Sequence, residues 1–251
     1  VLTSAKVTRA ERIVQRAMPR KRLTIQSGGK SQTVECDAVL VAVGRTPNID
    51  GLNLGGAGVR YDERGVDVDE YLRTTNARVY AAGDIIGGPQ FTHAADAMAR
   101  ICIQNAFFFG RKRHKQLVIP RTTYTDPEIA SIGLTAAECA QQKIPIDSYR
   151  EELSRVDRAV LDGETAGFAV VHCRRGTGKV VGATIVARHA GEMIGELSLL
   201  MTSGLTLSML AGTIHSYPTH VEVLKRIGDQ FNRTRLTPRV AAWLKWLIAR
   251  R

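Results

Sequence analysis

Two short apolar runs that end in glycine constrain the fold of this 251-residue chain more than any other feature. The first is Asp37-Ala38-Val39-Leu40-Val41-Ala42-Val43-Gly44, followed by Arg45-Thr46-Pro47-Asn48; the second is Val79-Tyr80-Ala81-Ala82-Gly83-Asp84. An unbroken apolar run of this length predicts a strand buried on both faces of a sheet. Glycine at the carboxyl end of such a strand lets backbone approach a ligand, at the edge where open α/β sheets bind their cofactors. Asp84 adds a carboxylate able to accept a hydrogen bond from a sugar hydroxyl without titrating. Taken singly, each run also reads as a buried strand and a turn, with Asp84 as a capping residue.

Around these runs the pattern changes twice. Residues 5–7, 22–25 and 32–35 alternate as strands, with Ser27-Gly28-Gly29 as a turn, and predict a small antiparallel edge. Apolar residues then recur at helical spacing over 94–109, and Gly110 with a basic cluster closes that element. Beyond Pro120 the order is α+β. Residues 129–134 alternate as a strand, Thr135 and Glu138 form a capping box, and 168–173 with 180–186 flank Gly176-Thr177-Gly178 as a hairpin. Helices are predicted over 190–202, 207–211 and 219–231, with a domain boundary between 110 and 120 and no internal repeat.

Composition narrows the function classes. With 44% hydrophobic and 24% charged residues the chain is globular, and its longest apolar runs, 38–43 and 101–109, fall far short of the roughly 20 residues that span a bilayer. Cys36, Cys102, Cys139 and Cys173 form no Cys-x-x-Cys, no Cys-x4-Cys and no cluster with His at ligand spacing. No metal site or disulfide framework is expected, and this usage points to a reducing cytoplasm. The net charge of +11 is spread over short runs without interleaved aromatics, so nucleic acid is not an expected partner. The chain opens Val1-Leu2-Thr3, with neither an initiator Met nor a signal pattern, and reads as starting partway through a protein.

The order and separation of the motifs resemble the flavoprotein disulfide reductases: dihydrolipoamide dehydrogenase, glutathione reductase and mercuric reductase. Val43-Gly44-Arg45-Thr46-Pro47-Asn48 resembles the segment that leaves their nucleotide domain. Tyr80-Ala81-Ala82-Gly83-Asp84 resembles the segment that holds the flavin's ribityl chain, and Phe91-Thr92-His93-Ala94 the start of the helix beneath the flavin ring. Residues 124–135 resemble the opening strand of the interface domain. The implied fold class is α/β and α+β: the C-terminal remnant of FAD/NAD(P)-binding Rossmann-like domains followed by an α+β dimerisation domain. The implied segments are 1–46, the tail of the NAD(P)-binding domain; 47–115, the last part of the FAD-binding domain; 116–235, the interface domain; and 236–251, a basic amphipathic tail.

The resemblance also implies the chemistry: FAD and NAD(P)H as cofactors, a homodimer, and a disulfide or small-molecule electron acceptor. Gly44, Gly83, Asp84, Phe91, Thr92 and His93 are the implied cofactor-binding residues, with His93 equally readable as a simple helix-start residue. Tyr217 and Glu222, in His215-Ser216-Tyr217-Pro218-Thr219-His220-Val221-Glu222, match the family's catalytic dyad, with Tyr where dihydrolipoamide dehydrogenase has His. A phenol, with an ordinary pKa near 10, is a poor base near neutrality, where imidazole is well matched. Mercuric reductases resemble this chain in having Tyr there, but their terminal cysteine pair has no counterpart. His215 and His220, five apart and so not on one helical face, are read as structural or interface residues, against a displaced catalytic histidine or a metal ligand. The family's Cys-x4-Cys pair and its two Gly-x-Gly-x-x-Gly loops are also absent from these residues, so the chain alone is expected to be inactive. The alternative is a non-catalytic dimerisation or binding module derived from such a reductase. The tail, 238–251, combines two tryptophans with Arg and Lys and suggests a peripheral membrane contact, against packing on its own domain or a partner subunit.

Overall fold

The computed structural model describes residues 1–15 and 18–250, and divides into two compact units, Val1–Asn48 and Ile49–Arg251. In the first unit β1 (Ala5–Gln15), β2 (Met18–Ser27) and β3 (Lys30–Cys36) form a three-stranded antiparallel sheet where a small antiparallel edge is expected. Gly28 and Gly29, with φ of 57° and 76°, form a two-residue turn between paired Ser27 and Lys30, a connection that needs positive φ at both positions.

The buried strand expected over residues 38–44 does not form. Leu40, Val41 and Val43 are 91%, 74% and 93% exposed. A strand draws its stability from neighbours on each side, and among the described residues none pairs with this run. The strand expected over 79–82 shrinks to one bridge, Arg73 to Tyr80. There the chain folds back on its own turn: Thr74 N donates to the Val79 carbonyl (3.0 Å) and Ala81 N to that of Leu72 (3.1 Å). Asp69 holds the turn by accepting from the backbone N–H groups of Tyr71 and Arg73 at 2.8 and 2.9 Å.

The second unit begins with a small hairpin, β4 (Tyr61–Asp62) and β5 (Gly65–Val66), and a helix α1 (Thr92–Phe107). Ala94, Met98, Ile101 and Asn105 form the buried stripe of α1, and the apolar three pack with Leu72, Tyr80 and Ile86. Asn105 ends the helix region by bonding the backbone of Tyr71 and Lys112.

The remainder is an antiparallel sheet with helices on one face. Its elements are β6 (Arg121–Thr123), β7 (Glu128–Gly133), α2 (Ala136–Gln141), β8 (Ile146–Glu152), α3 (Asp157–Leu161), β9 (Phe168–Arg174) and β10 (Val180–Ala187). They continue with α4 (Ala190–Thr202), α5 (Leu207–Gly212), α6 (Glu222–Thr234) and α7 (Pro238–Ile248). Strand order is β6-β7-β10-β9-β8. Alternate residues point into the core: Ala130 and Ile132, Ala169, Val171 and Cys173, Ala183, Ile185 and Ala187. Ala190, Met193, Ile194, Leu197 and Leu200 of α4 face them at helical spacing. A side chain such as Leu197, fully buried, contributes about 2 to 3 kcal/mol by leaving water. The predicted capping box is present, with Glu138 N donating to Thr135 Oγ1 and Thr135 N to Glu138 Oε2.

Candidate functional site at Tyr217 and Glu222

Of the two residues expected to do chemistry, Tyr217 lies in the loop between α5 and α6 and Glu222 opens α6, and the sheet-and-helix core fixes both ends of the loop. Gly228 of α6 lies so close to α5 that a Cβ would stand 2.7 Å from Ala211 N and 2.8 Å from the Leu207 carbonyl oxygen. Val223, Leu224, Ile227 and Phe231 bury the inner stripe of α6. Glu222 therefore sits on an anchored first turn, where a carboxylate also interacts favourably with the helix dipole. The sequence places this helix start at Thr219; residues 219–221 form a turn instead.

Tyr217 is 71% exposed, and its hydroxyl donates to Asp157 Oδ2 at 2.7 Å. Arg226 donates from Nε and an Nη to Glu222 Oε1, at 2.9 and 2.8 Å, while Glu222 Oε2 is buried with no hydrogen-bond partner. The Asp157 carboxylate, with a smaller contribution from Glu222, pushes the Tyr217 phenol above its ordinary range. The group is thus a hydrogen-bond donor held at the surface. Asp157 and Arg226 were not legible as site residues, because Asp157 lies 60 positions from Tyr217 and has no local pattern to mark it.

Beside this loop, a cavity of about 640 Å³ is lined by Arg158, Asp162, Arg188, Glu192, Glu196 and His220, among others. His215 contacts Glu196 Oε1 (2.8 Å) and the Thr213 carbonyl (3.0 Å), and His220 Nε2 contacts Asp162 Oδ2 (3.0 Å). Both histidines are thus held by carboxylates within the fold. Among the described residues no group of three or more His, Cys, Asp or Glu side chains could hold a metal. Burial raises the thiols of Cys102 and Cys173, and all four cysteines are unpaired.

Arg158, at 2.8 Å, and then His220 hold the Asp162 carboxyl at about 2, below its ordinary 3.8. A depressed pKa stabilises the folded state fully above the ordinary value, and that contribution disappears as pH falls through the folded value. Asp162→Asn should therefore lower stability above pH 3.8, with the difference from wild type closing toward about pH 2. Urea melts across that range would show it; a pH-independent difference would contradict it.

The other expected residues occupy two places. Gly44 (φ 134°) lies in the first unit, exposed, with open space where a side chain would stand. Gly83 (φ 81°) is buried in a backbone conformation that side chains rarely adopt, and a Cβ there would meet Ala95 Cβ of α1 at 3.0 Å, a tight contact. Asp84 follows it, half-buried, in a single 3₁₀ turn whose carbonyl accepts from Gly87 N at 3.1 Å. Phe91 caps α1, Thr92 is its first residue, and the His93 ring stacks on Phe91 with centroids 5.3 Å apart. His93 Nε2 donates to the Pro120 carbonyl at 2.9 Å, tying the start of α1 to the segment that leads into β6.

Comparison with known proteins matches this architecture. The family described as pyridine nucleotide-disulphide oxidoreductase matches residues 1–99, and its dimerisation domain matches residues 119–227. The chain is 37% identical over 209 residues to a mercuric reductase of Streptomyces lividans, covering 83% of this chain and 44% of that protein. It is 36% identical over 202 residues to a dihydrolipoyl dehydrogenase of Bacillus subtilis, covering 80% and 43%. Among solved structures, LpdA from Mycobacterium tuberculosis superposes with a TM-score of 0.80 at 26% identity, covering 90% of this chain and 48% of that one. The flavoprotein disulfide reductase RclA from Escherichia coli gives 0.74 at 25%, covering 83% and 48%. The chain spans less than half the length of each of these proteins.

Proposed function

This chain belongs to the pyridine nucleotide-disulfide oxidoreductase family, and from that premise we propose that the intact protein passes a hydride from NAD(P)H to FAD and then two electrons to a disulfide or similar small-molecule acceptor. The observation that carries the reading is the surface arrangement of Tyr217, held by Asp157, beside the anchored Glu222. It lies within the residues matched to the dimerisation domain, which supports a homodimer in which each subunit offers this pair to its partner's redox centre.

The residues present fit part of the flavin. Asp84 is a half-buried carboxylate suited to accept from ribityl hydroxyls, next to buried Gly83, whose lack of a side chain lets α1 pack close; Phe91, Thr92 and His93 stand at the start of that helix. Gly44 is the nicotinamide-side candidate. Bound FAD supplies the two-electron chemistry that side chains lack. Tyr217 would bind and orient the acceptor by turning its one hydroxyl hydrogen bond from Asp157 to the acceptor, with the Glu222 carboxylate fixed beside it. Arg226 keeps Glu222 from swinging away.

In the intact protein, NAD(P)H should bleach the flavin absorbance and a disulfide should restore it. Intact protein without flavin would overturn the proposal and favour a dimerisation module. Asp84→Ala should weaken flavin retention by about tenfold or more, the scale of a lost charge-assisted hydrogen bond. Stoichiometric FAD in that variant would remove Asp84 from the site. A second reading concerns location: a cytoplasmic protein whose tail, residues 238–251, makes peripheral contact with a membrane, favoured by the exposed tryptophans of α7. Arg251 lies outside the described residues.

A further inference from the structure

Helix α7 is capped and positioned as a separate surface element. Thr237 Oγ1 accepts from Val240 N at 3.3 Å and Pro238 opens the first turn, so the helix starts without help from the core. Trp243, Trp246 and Ile248 are 59%, 49% and 73% exposed, and among the described residues no α7 side chain belongs to either core cluster. Trp243 and Leu247, four apart, share one side of the helix, and Ile248 follows. Eleven residues rise about 16 Å, half of a bilayer's apolar thickness, and no helix among the described residues is long and apolar enough to cross a membrane.

Charge names the occupant of this face. From residue 230 to the end the chain carries Arg233, Arg235, Arg239, Lys245, Arg250 and Arg251 and no Asp or Glu. The Arg250 guanidinium lies 3.9 Å over the Trp246 ring, which places a cation at the rim of the apolar surface. Apolar and aromatic residues edged by cations match an interface of acyl chains beneath anionic headgroups. A second copy of α7 would bring the same cations together. We propose that α7 docks the protein in the plane of an anionic lipid bilayer surface. The inference rests on the peripheral contact proposed for residues 238–251 and adds the headgroup charge that the contact requires.

Both tryptophans of the chain lie in α7, so intrinsic tryptophan fluorescence reports this helix alone. The probe is vesicles of phosphatidylcholine with or without phosphatidylglycerol, mixed with the full chain. A blue shift and co-sedimentation are expected only with phosphatidylglycerol, weakened by added salt. Lys245→Glu with Arg250→Glu should lower partitioning by at least about tenfold while the thermal melt is unchanged. Trp243→Ser, which keeps Trp246 as the reporter, should also weaken it. Equal binding to both vesicles would overturn the charge requirement and leave the peripheral contact standing. Binding to neither would overturn both, as would a shift that depends on protein concentration or an acidic protein and not on lipid.

Discussion

Gly182→Ala is expected to cost the second unit about 3 kcal/mol or more, and to lower its melting temperature by roughly 6 to 12 °C. Gly182 on β10 pairs with Gly133 on β7, at the point where β7 leaves the sheet. A methyl group on Gly182 would stand 1.9 Å from the Leu134 carbonyl oxygen and 2.6 Å from Leu134 N. Both atoms are backbone, and Leu134 N is already committed to the Val181 carbonyl at 2.9 Å. No side-chain rotation relieves such a contact; the strands must part. Their separation would disturb β7 and β10, against which α4 packs, and with α4 the Glu196 that holds His215 two residues before Tyr217. Differential scanning calorimetry measures the effect directly, and a melting temperature within about 2 °C of wild type would contradict it.

Tyr217→Phe is expected to leave flavin reduction by NAD(P)H unchanged in the intact enzyme and to slow transfer to the acceptor by about 10- to 100-fold. That range corresponds to losing one hydrogen bond made in the transition state. The phenol is exposed, so its removal leaves no cavity in the core, and α6 keeps its buried stripe. Asp157 loses its partner at the surface, where water replaces it. A purely structural Tyr217 predicts lower stability and two unaltered half-reactions. Tyr217→His should instead raise activity toward dithiol or disulfide substrates, because imidazole exchanges protons near neutral pH and a phenol whose pKa Asp157 raises does not. Stopped-flow traces of the two half-reactions separate these outcomes.

The sequence was most informative where the information is local. The helix over Ala190–Thr202, the capping box at Thr135 and Glu138, and the hairpin between β9 and β10 follow from spacing and turn chemistry within a few residues. Residues 38–44 show the limit. Their composition specifies a strand flanked by others, and composition cannot say whether those neighbours are among the residues at hand. The five-residue step from Tyr217 to Glu222 was readable because both lie in one motif. Asp157, which takes the Tyr217 hydroxyl, and Glu196, which takes His215, come from α3 and α4, and only the packed core brings them there.

The claim that Tyr217 serves the partner subunit's redox centre has one direct measurement, subunit mixing in the intact enzyme. One parent variant carries Tyr217→Phe; the other keeps Tyr217 and lacks the redox cysteine pair that the proposed function places in the intact protein. In a two-fold dimer each mixed pair holds one complete site, assembled from Tyr217 of one subunit and the cysteines of the other. Random reassociation of equal amounts should restore about a quarter of wild-type acceptor reduction from two impaired parents, since half the dimers are mixed and each has one of two sites. If mixing gives no more than the average of the two parents, Tyr217 does not act across the dimer.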